Sequence, residues 1–348
     1  MKSLLQAKDL KPTNSSDTPR SLPRVISLFS GAGGLDLGFK KAGYELVFAV
    51  DIDKWAVATH QRAFPGVHCI HADLVKLGVD GLLREVRALL RPGERIGVIG
   101  GPPCQGFSRS NVASRADDPR NKLPALYLEI VKALQAEFTV EFIVFENVLG
   151  ILDKKHKAIL DDITETLGRL GLCHRVAEYD AFDFGVPQHR RRVIIAAFQS
   201  ILALNAFAPK QHGKGIATVG QAIGMLPEPY FFVKNMAPNP YHPNHWTMQP
   251  RSMRFFNPEK HAWDGRSFRR LDAGEPSPTV AYGHREIHVH PNGTRRLSIY
   301  EAMLLQGFPK KYVLLGPFSA QVEQVSNAVP PPLAYSLALA VRDSLAKT

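Results

Sequence analysis

Residues 25–34, VISLFSGAGG, join a short apolar run to a glycine-rich turn. The run Val25–Phe29 has the continuous hydrophobicity of a buried strand, and a helical pattern follows through Lys41. Glycines in such a turn let the backbone approach a ligand, and the start of the helix offers unpaired N–H groups. The dinucleotide-binding pattern G-x-G-x-x-G is broken, because Asp36 stands where its third glycine would be. The stretch therefore favours a nucleoside site without a pyrophosphate cradle.

An acidic residue ends the next apolar run. Asp51 follows Gly31 by twenty residues, the spacing at which a carboxylate can hold both ribose hydroxyls of a nucleoside. Together the two features predict nucleoside binding. The alternative is a tight strand-to-helix turn with a solvated acid.

Strand-like and helix-like stretches alternate from Arg24 to about Phe198, which predicts an α/β fold with a doubly wound sheet. Because the apolar runs are continuous, we expect parallel strands that are covered on both faces. The predicted strands are 25–29, 45–50, 96–99, 140–145 and 193–198. The predicted helices are one that follows the glycine turn and runs through Lys41, and those over 54–64, about 127–135, 298–305 and 334–346.

Composition changes after about Ile201, where proline, glycine, histidine, asparagine and aromatic residues replace the periodic pattern until Thr294. This change predicts a second, smaller, loop-rich domain. The expected division is a flexible segment at 1–23, a large domain at 24–200 plus 322–348, and a small domain at 201–321.

A cysteine and a glutamate follow two of the predicted strands. Cys104 lies in the turn Gly101-Pro-Pro-Cys-Gln-Gly106, and Glu146 ends the run 140–145. In an open α/β sheet both would face the crevice at the carboxyl ends of the strands. A thiol nucleophile beside a proton donor suits attack on an electron-poor ring better than hydride transfer. The alternatives are a cysteine that packs as a small hydrophobe and a carboxylate that caps a turn.

Three polar side chains alternate before the last strand. Extended geometry sends Gln188, Arg190 and Arg192 to one face, which suits a carbonyl oxygen and phosphates. The alternative is a solvated basic edge.

The net charge indicates an anionic partner, and the cysteine content indicates a reducing compartment. The 348 residues carry a net charge of +11, which is compatible with nucleic acid. Three scattered cysteines without a C-x-x-C pair indicate neither a disulfide framework nor zinc, and we expect no metal. The polar start has no signal-peptide core, and no run of 18 apolar residues occurs, so we expect a cytoplasmic protein without membrane contact.

Over nearly its whole length the chain resembles the DNA (cytosine-5)-methyltransferases of prokaryotic restriction-modification type. The motifs occur in the family's order: Phe29–Gly34, Asp51-Ile52, Asp73, Gly101-Pro-Pro-Cys104-Gln-Gly-Phe-Ser108, Glu146-Asn147-Val148, Gln188-x-Arg190-x-Arg192, Arg296–Ala302 with Gln306–Pro309, and Ser326-Asn327-Ala-Val-Pro-Pro331. Ser326 stands where the family usually has glycine, which requires a negative φ there.

The resemblance implies a Rossmann-like S-adenosylmethionine-dependent fold, in which 201–321 is the target-recognition domain. It implies transfer of a methyl group to C5 of a flipped-out cytosine through a covalent bond from Cys104 to C6. Implied catalytic residues are Cys104, Glu146, Arg190 and Arg192. Implied cofactor-binding residues are Phe29, Gly31, Gly33, Gly34, Asp51, Ile52, Asp73, Pro102 and Asn327. Implied DNA-binding residues are Gln105, Ser108, Arg109, Gln188, Arg251, Arg254, Arg269 and Thr279.

The expected partner is double-stranded DNA, bound by a monomer in the bacterial nucleoid. A cognate restriction endonuclease is compatible with the resemblance as a functional partner. The first rival is a member of the same fold that methylates tRNA. The second is a DNA-binding module or a nicotinamide-dependent enzyme that borrows the fold. Cys104, Glu146 and Arg192 argue against a mere binding module, and Asp36 argues against a nicotinamide cofactor.

Overall fold

A seven-stranded sheet lies at the centre of the structure. The computed structural model describes residues 21–103, 122–211, 217–234, 236–260, 263, 268–279 and 288–348. The strands of this sheet are β1 (Arg24–Leu28), β2 (Leu46–Asp51), β3 (His68–His71), β4 (Arg95–Gly100), β5 (Thr139–Asn147), β6 (Cys173–Asp180) and β7 (Arg191–Phe198). Their order is β3-β2-β1-β4-β5-β7-β6, which confirms the predicted α/β fold.

Helices cover both faces of the sheet. They are α1 (Gly34–Lys41), α2 (Lys54–Ala63), α3 (Leu74–Arg87), α4 (Leu123–Gln135), α5 (Lys157–Arg169), α6 (Ile201–Ala206), α7 (Val219–Ile223), α8 (Ile299–Leu305), α9 (Phe318–Asn327) and α10 (Pro331–Leu345). A separate parallel pair is formed by β8 (Tyr230–Phe231) and β9 (Trp246–Thr247). Of the described helices, none combines the length and the hydropathy that a membrane span requires.

The orientation of β7 differs from the prediction. The sequence predicts parallel strands throughout, but β7 pairs antiparallel with both β5 and β6, so the prediction is wrong for this strand. The connection 181–190 is too short for the helical crossover that a parallel neighbour of β6 would need. The N-terminal end of β7 therefore lies at the edge of the sheet where the parallel strands end.

Strands β3 and β6 are the two edges of the sheet, and the hydrophobic pattern did not predict them. Their residues are mostly half-buried, and both segments mix polar with apolar side chains. Edge strands need only one protected face and one bonded side, so they lack the continuous apolar runs of β1, β4 and β5.

Two apolar cores fix the sheet between its helices. One core joins β4 and β5 to α3, α4 and α5. The other joins β1 and β7 to α1, α6 and α10, so the last helix packs against the sheet. A third core links α7 and α8 to α9 and reaches Ala32 in the glycine turn.

A buried ion pair stabilises the start of α8. Arg295 donates two hydrogen bonds to Glu301, at 2.9 and 3.0 Å, and both side chains are at most 3% exposed. Glu301 also accepts from the backbone N–H of Ser298, which closes the helix cap. The pair therefore satisfies two charges that water cannot reach.

We expect Arg295→Met to lower the free energy of unfolding by about 3–5 kcal/mol, because it leaves the Glu301 carboxylate buried and unpaired. Denaturant titration followed by tryptophan fluorescence measures this change. Lys157→Met is the control, since it removes an exposed pair with Asp161 and should change the free energy far less. A loss below 1 kcal/mol for Arg295→Met would contradict the prediction.

Candidate active site

A cavity opens at the carboxyl ends of the central strands. It lies where the chain turns from β1 to β2 on one side and to β4 on the other, the switch point at which open α/β sheets bind ligands. The lining residues are Ser27, Phe29, Ser30, Gly31, Ala32, Gly34, Leu35, Asp36, Asp51, Ile52, Asp53, Ala56, Gly100, Gly101, Pro103, Glu146, Ala320, Glu323, Gln324, Asn327, Ala328 and Val329.

The glycine turn after β1 brings the backbone to the cavity in rare conformations. Phe29 has a φ of +54°, and no other described non-glycine residue has a positive φ. Gly31 follows with a φ of +53°. A Cβ on Gly34 would lie 2.3 Å from the carbonyl oxygen of Val329, so α1 can meet the segment after α9 only without a side chain there. Backbone strain of this kind collects at ligand sites.

Asp51 is held rigidly at the end of β2. Its two carboxylate oxygens accept backbone N–H groups of Gly31 and Asp53, each at 2.8 Å. Burial raises the pKa of Asp51, and the two N–H groups act in the opposite direction. Each oxygen keeps a second lone pair, so the carboxylate can still accept hydroxyl groups from the cavity.

Of the other residues predicted to bind the cofactor, some line the cavity and others lie behind its wall. Ile52 lines the cavity and is exposed. Gly33 is the N-cap of α1 and packs against Phe64. Asp73 caps α3 through the N–H of Val75 and does not line the cavity.

The two prolines of the Pro-Pro-Cys turn take different positions. Pro103 lines the cavity, whereas Pro102 is buried behind it and accepts a hydrogen bond from the Asn147 amide. Ser326, which replaces the family's glycine, lies in α9 without a positive φ. The serine is therefore compatible with the backbone at this position, where a negative φ is required.

Glu146 and Arg192 form an ion pair at the same edge of the sheet. Arg192 Nε lies 2.7 Å from Glu146 Oε1, and the two residues are 7% and 8% exposed. Glu146 is near the end of β5 and Arg192 near the start of antiparallel β7, which explains why they meet. Arg192 also donates Nη1 to the carbonyl of Arg191, which orients its guanidinium.

The carboxyl of Glu146 is poised to keep a proton. Burial raises its pKa, and the charges of Arg192 and Arg190 oppose that rise. A carboxyl whose pKa is raised can donate a proton or a hydrogen bond at a pH where an exposed glutamate is ionised. The site thus offers an acid beside a fixed cation.

Gly101 leaves room for the Glu146 carboxyl. A Cβ at this position would lie 2.7 Å from Glu146 Oε2. We expect Gly101→Ala to displace the carboxyl and to lower kcat about tenfold to a hundredfold, because small misplacements at a reacting centre are costly. Single-turnover assays measure the rate. Gly168→Ala is the control, since a Cβ there meets nothing within 4 Å. Equal rates for Gly101→Ala and wild type would contradict the prediction.

Arg190 lies inside the protein rather than on the open face of the cleft. It is 1% exposed, and its guanidinium donates to the backbone carbonyl of Ser326 in α9. The backbone N–H of Arg190 donates to Asp180 Oδ1 at 2.9 Å. The face predicted to be shared by Gln188, Arg190 and Arg192 is thus only partly formed, because the Arg190 side chain points inward and joins the start of β7 to α9.

Gln188 and Thr279 lie where the segment before β7 meets the region 268–279. Gln188 is fully buried and bridges to Ser277. Thr279 is exposed and donates its hydroxyl to the carbonyl of His189. Arg251 and Arg269 are exposed, and Arg254 stacks over the ring of Phe268 at 5.1 Å. Four predicted residues, Cys104, Gln105, Ser108 and Arg109, lie outside the described residues.

Sequence reasoning missed one wall of the cavity. Ala320, Glu323 and Gln324 of α9 line it beside Asn327, at the helical spacing i, i+3, i+4 and i+7. The sequence before Asn327 shows this helical spacing, but no local sequence pattern indicates that this face of α9 lies toward β1.

Residues 23–342 match the family described as C-5 cytosine-specific DNA methylase. The chain belongs to this family. The enzyme is thus a DNA (cytosine-5)-methyltransferase, as the motif order predicts.

Two relatives and one solved structure show how far the likeness of this methyltransferase extends. It is 35% identical to Type II methyltransferase M1.HphI of Haemophilus parahaemolyticus over 91% of this chain and 86% of that protein. It is 33% identical to Type II methyltransferase M.MthTI of Methanothermobacter thermautotrophicus, over 92% and 97% of the two chains. A putative DNA modification methyltransferase encoded within a prophage (E. coli) superposes with a TM-score of 0.74 at 25% identity, covering 93% of this chain and 99% of that one.

Proposed function

We propose that this methyltransferase transfers the methyl group of S-adenosylmethionine to C5 of a flipped-out cytosine in double-stranded DNA, through a covalent bond from Cys104 to C6. The observation that carries this proposal is the Glu146–Arg192 pair beside the cavity at the switch point of the sheet. It puts an acid and a cation next to a nucleoside-sized site.

The cavity residues fit S-adenosylmethionine better than a pyrophosphate cofactor. Among the described residues that line the cavity there is no lysine, arginine or histidine, although the chain carries a net charge of +11. Phosphates favour such cations, whereas a sulfonium and an ammonium favour carboxylates. Asp36, which breaks the dinucleotide pattern, is fully buried in this wall.

The chain's own residues would hold the cofactor in an order that the cavity supports. Phe29 and Ile52 flank the adenine, and Asp51 accepts the ribose hydroxyls. The glycine turn and Asn327 hold the methionine end, and Pro102 supports the wall through its contact with Asn147. Asp73 is proposed for the adenine amine. When bound, the cofactor supplies an electrophilic methyl group.

The chemistry assigns each protein group one task. The Cys104 thiolate forms a bond to C6, the electron pair of the C5–C6 double bond shifts to the C4–C5 bond, and the pair of the C4–N3 double bond shifts to N3, which Glu146 protonates. Arg192 holds the O2 carbonyl, and Arg190 stabilises this arrangement by joining the start of β7 to α9. The activated C5 then accepts the methyl group. N3 returns its proton to Glu146, a water takes the C5 proton, and the C6–sulfur bond breaks to restore the ring and the thiolate.

The target base must leave the helix stack before it can reach this site, at a cost of a few kcal/mol. We propose that the large domain, 24–200 plus 322–348, carries out the chemistry and that 201–321 reads the sequence. Arg251, Arg254, Arg269 and Thr279 there, and Gln105, Ser108 and Arg109 after Cys104 in the chain, contact DNA. Gln188 is fully buried and is not assigned a DNA contact. The names of the relatives support a restriction-modification context. We propose that the enzyme acts as a monomer in the nucleoid, with a cognate endonuclease as functional partner.

Bisulfite sequencing of genomic DNA from a methylation-deficient bacterial host that expresses the chain tests the proposal. We expect protection of cytosines in one short recurrent motif, and full conversion with the Cys104→Ala variant as control. Full conversion with the folded wild-type protein would contradict the proposal, and 5-methylcytosine in host tRNA instead would show the RNA-directed rival.

A further inference from the structure

The cavity at the switch point is acidic, and the partners of its carboxylates differ. Five acidic residues line it: Asp36, Asp51, Asp53, Glu146 and Glu323. A ligand with positive charge would be stabilised there, and each carboxylate that already has a partner is less free to supply that stabilisation.

Four of the five carboxylates are engaged by the protein. Asp51 accepts two backbone N–H groups, and Asp53 caps α2 through the N–H groups of Trp55 and Ala56. Glu146 pairs with Arg192 at 2.7 Å.

Asp36, like Asp53, is engaged on one oxygen only. Its Oδ1 lies 3.2 Å from His60 Nε2, inside the protein. Its other oxygen, Oδ2, is buried and has no hydrogen-bond partner in the described part of the chain. An unsatisfied acceptor in the cavity wall indicates a site that is completed by a ligand or water with donors.

Glu323 is the carboxylate that remains. It is exposed, and its side chain makes neither an ion pair nor a hydrogen bond with any residue that the structure describes. Glu323 precedes Asn327 by one turn of α9, so both side chains lie on the face that forms the cavity wall.

The other walls of the cavity are assigned by the proposed reaction, on which this inference rests. The methyl group must face the target base, so the sulfur lies on the side of Gly101 and Glu146. Asp51 marks the ribose. The remaining wall is α9. The segment that follows it closes the cavity against the glycine turn, because Val329 lies close to Gly34. The amino-acid end of the cofactor, with its ammonium and carboxylate groups, is left for this wall.

We propose that Glu323 binds the α-ammonium group of the cofactor's amino-acid end. Its carboxylate accepts a charge-assisted hydrogen bond from the ammonium. The contact is made equally with S-adenosylmethionine and S-adenosylhomocysteine, because both carry the ammonium group and differ only at the sulfur, which bears the methyl group and the positive charge in S-adenosylmethionine.

Isothermal titration calorimetry of the full chain tests the proposal through binding rather than turnover. The proteins are wild type, Glu323→Gln and Glu165→Gln, the last removing an exposed carboxylate of α5 that does not line the cavity. The ligands are S-adenosylmethionine, S-adenosylhomocysteine and 5′-methylthioadenosine, which keeps the nucleoside and the sulfur but lacks the amino-acid end.

We expect Glu323→Gln to raise Kd for S-adenosylmethionine and S-adenosylhomocysteine alike, on the order of tenfold. Its Kd for 5′-methylthioadenosine should stay unchanged, and Glu165→Gln should match wild type throughout. An unchanged Kd for S-adenosylhomocysteine, an equal loss for 5′-methylthioadenosine, or a loss confined to the sulfonium ligand would overturn the proposal. Failure of the wild type to bind any of the three ligands would instead refute the cofactor assignment itself.

Discussion

Cys104→Ala is expected to abolish methyl transfer, by on the order of 10⁴-fold or more, while DNA binding stays intact. C5 of cytosine is a poor nucleophile until a group adds at C6, and the variant has no group that can add there. Loss of a covalent nucleophile has effects of this size in other enzymes. Transfer of labelled methyl groups to DNA and gel-shift titrations measure the two properties.

Cys173→Ala is the matched control for this variant, because Cys173 begins β6 and does not line the cavity. DNA that contains 5-fluorocytosine gives a second readout, since fluorine cannot leave C5 as a proton does and the protein–DNA bond persists. We expect a complex that survives denaturation with wild type and with Cys173→Ala but not with Cys104→Ala. Methylation by Cys104→Ala would refute the covalent mechanism.

Glu146→Gln should lower kcat about 10²- to 10⁴-fold, the usual contribution of a positioned acid or base. The amide keeps the shape of the side chain but cannot give a proton to N3. Because burial raises the pKa of Glu146, the wild-type carboxyl keeps its proton to a higher pH than an exposed glutamate does. The proton is lost as the pH rises through that raised pKa, so the rate of wild type should fall on the alkaline side.

The pH profile separates this role from a structural one. The alkaline fall should be absent in Glu146→Gln, whose amide does not titrate. Glu141→Gln is the matched control, since Glu141 is buried and pairs with the half-buried Arg95 at the opposite end of β5. That variant should lose stability and keep the wild-type profile. A kcat for Glu146→Gln within threefold of wild type would contradict the assignment.

Much of the site could be predicted because its parts are local in sequence. The apolar run 25–29 and its glycine turn predict a buried strand and a ligand site, since both depend on neighbouring residues. The same holds for Asp51 and Glu146, which end apolar runs and therefore had to lie at the carboxyl edge of the sheet. The role of Asp73 stays a prediction, because its spacing fits the family while the structure shows its side chain only as the cap of α3.

The α/β class, the order of the motifs and the family to which the chain belongs could all be predicted from the sequence. The contacts between residues that are distant in the chain are visible only in the tertiary structure. Arg192 reaches Glu146 because β7 runs antiparallel, and Arg190 turns inward to bind Ser326, 136 residues away. Glu323 faces the cavity because α9 packs beside the first glycine turn. Hydrophobic periodicity records whether a residue is buried, but not against which element, and these contacts depend on pairings that no local pattern encodes.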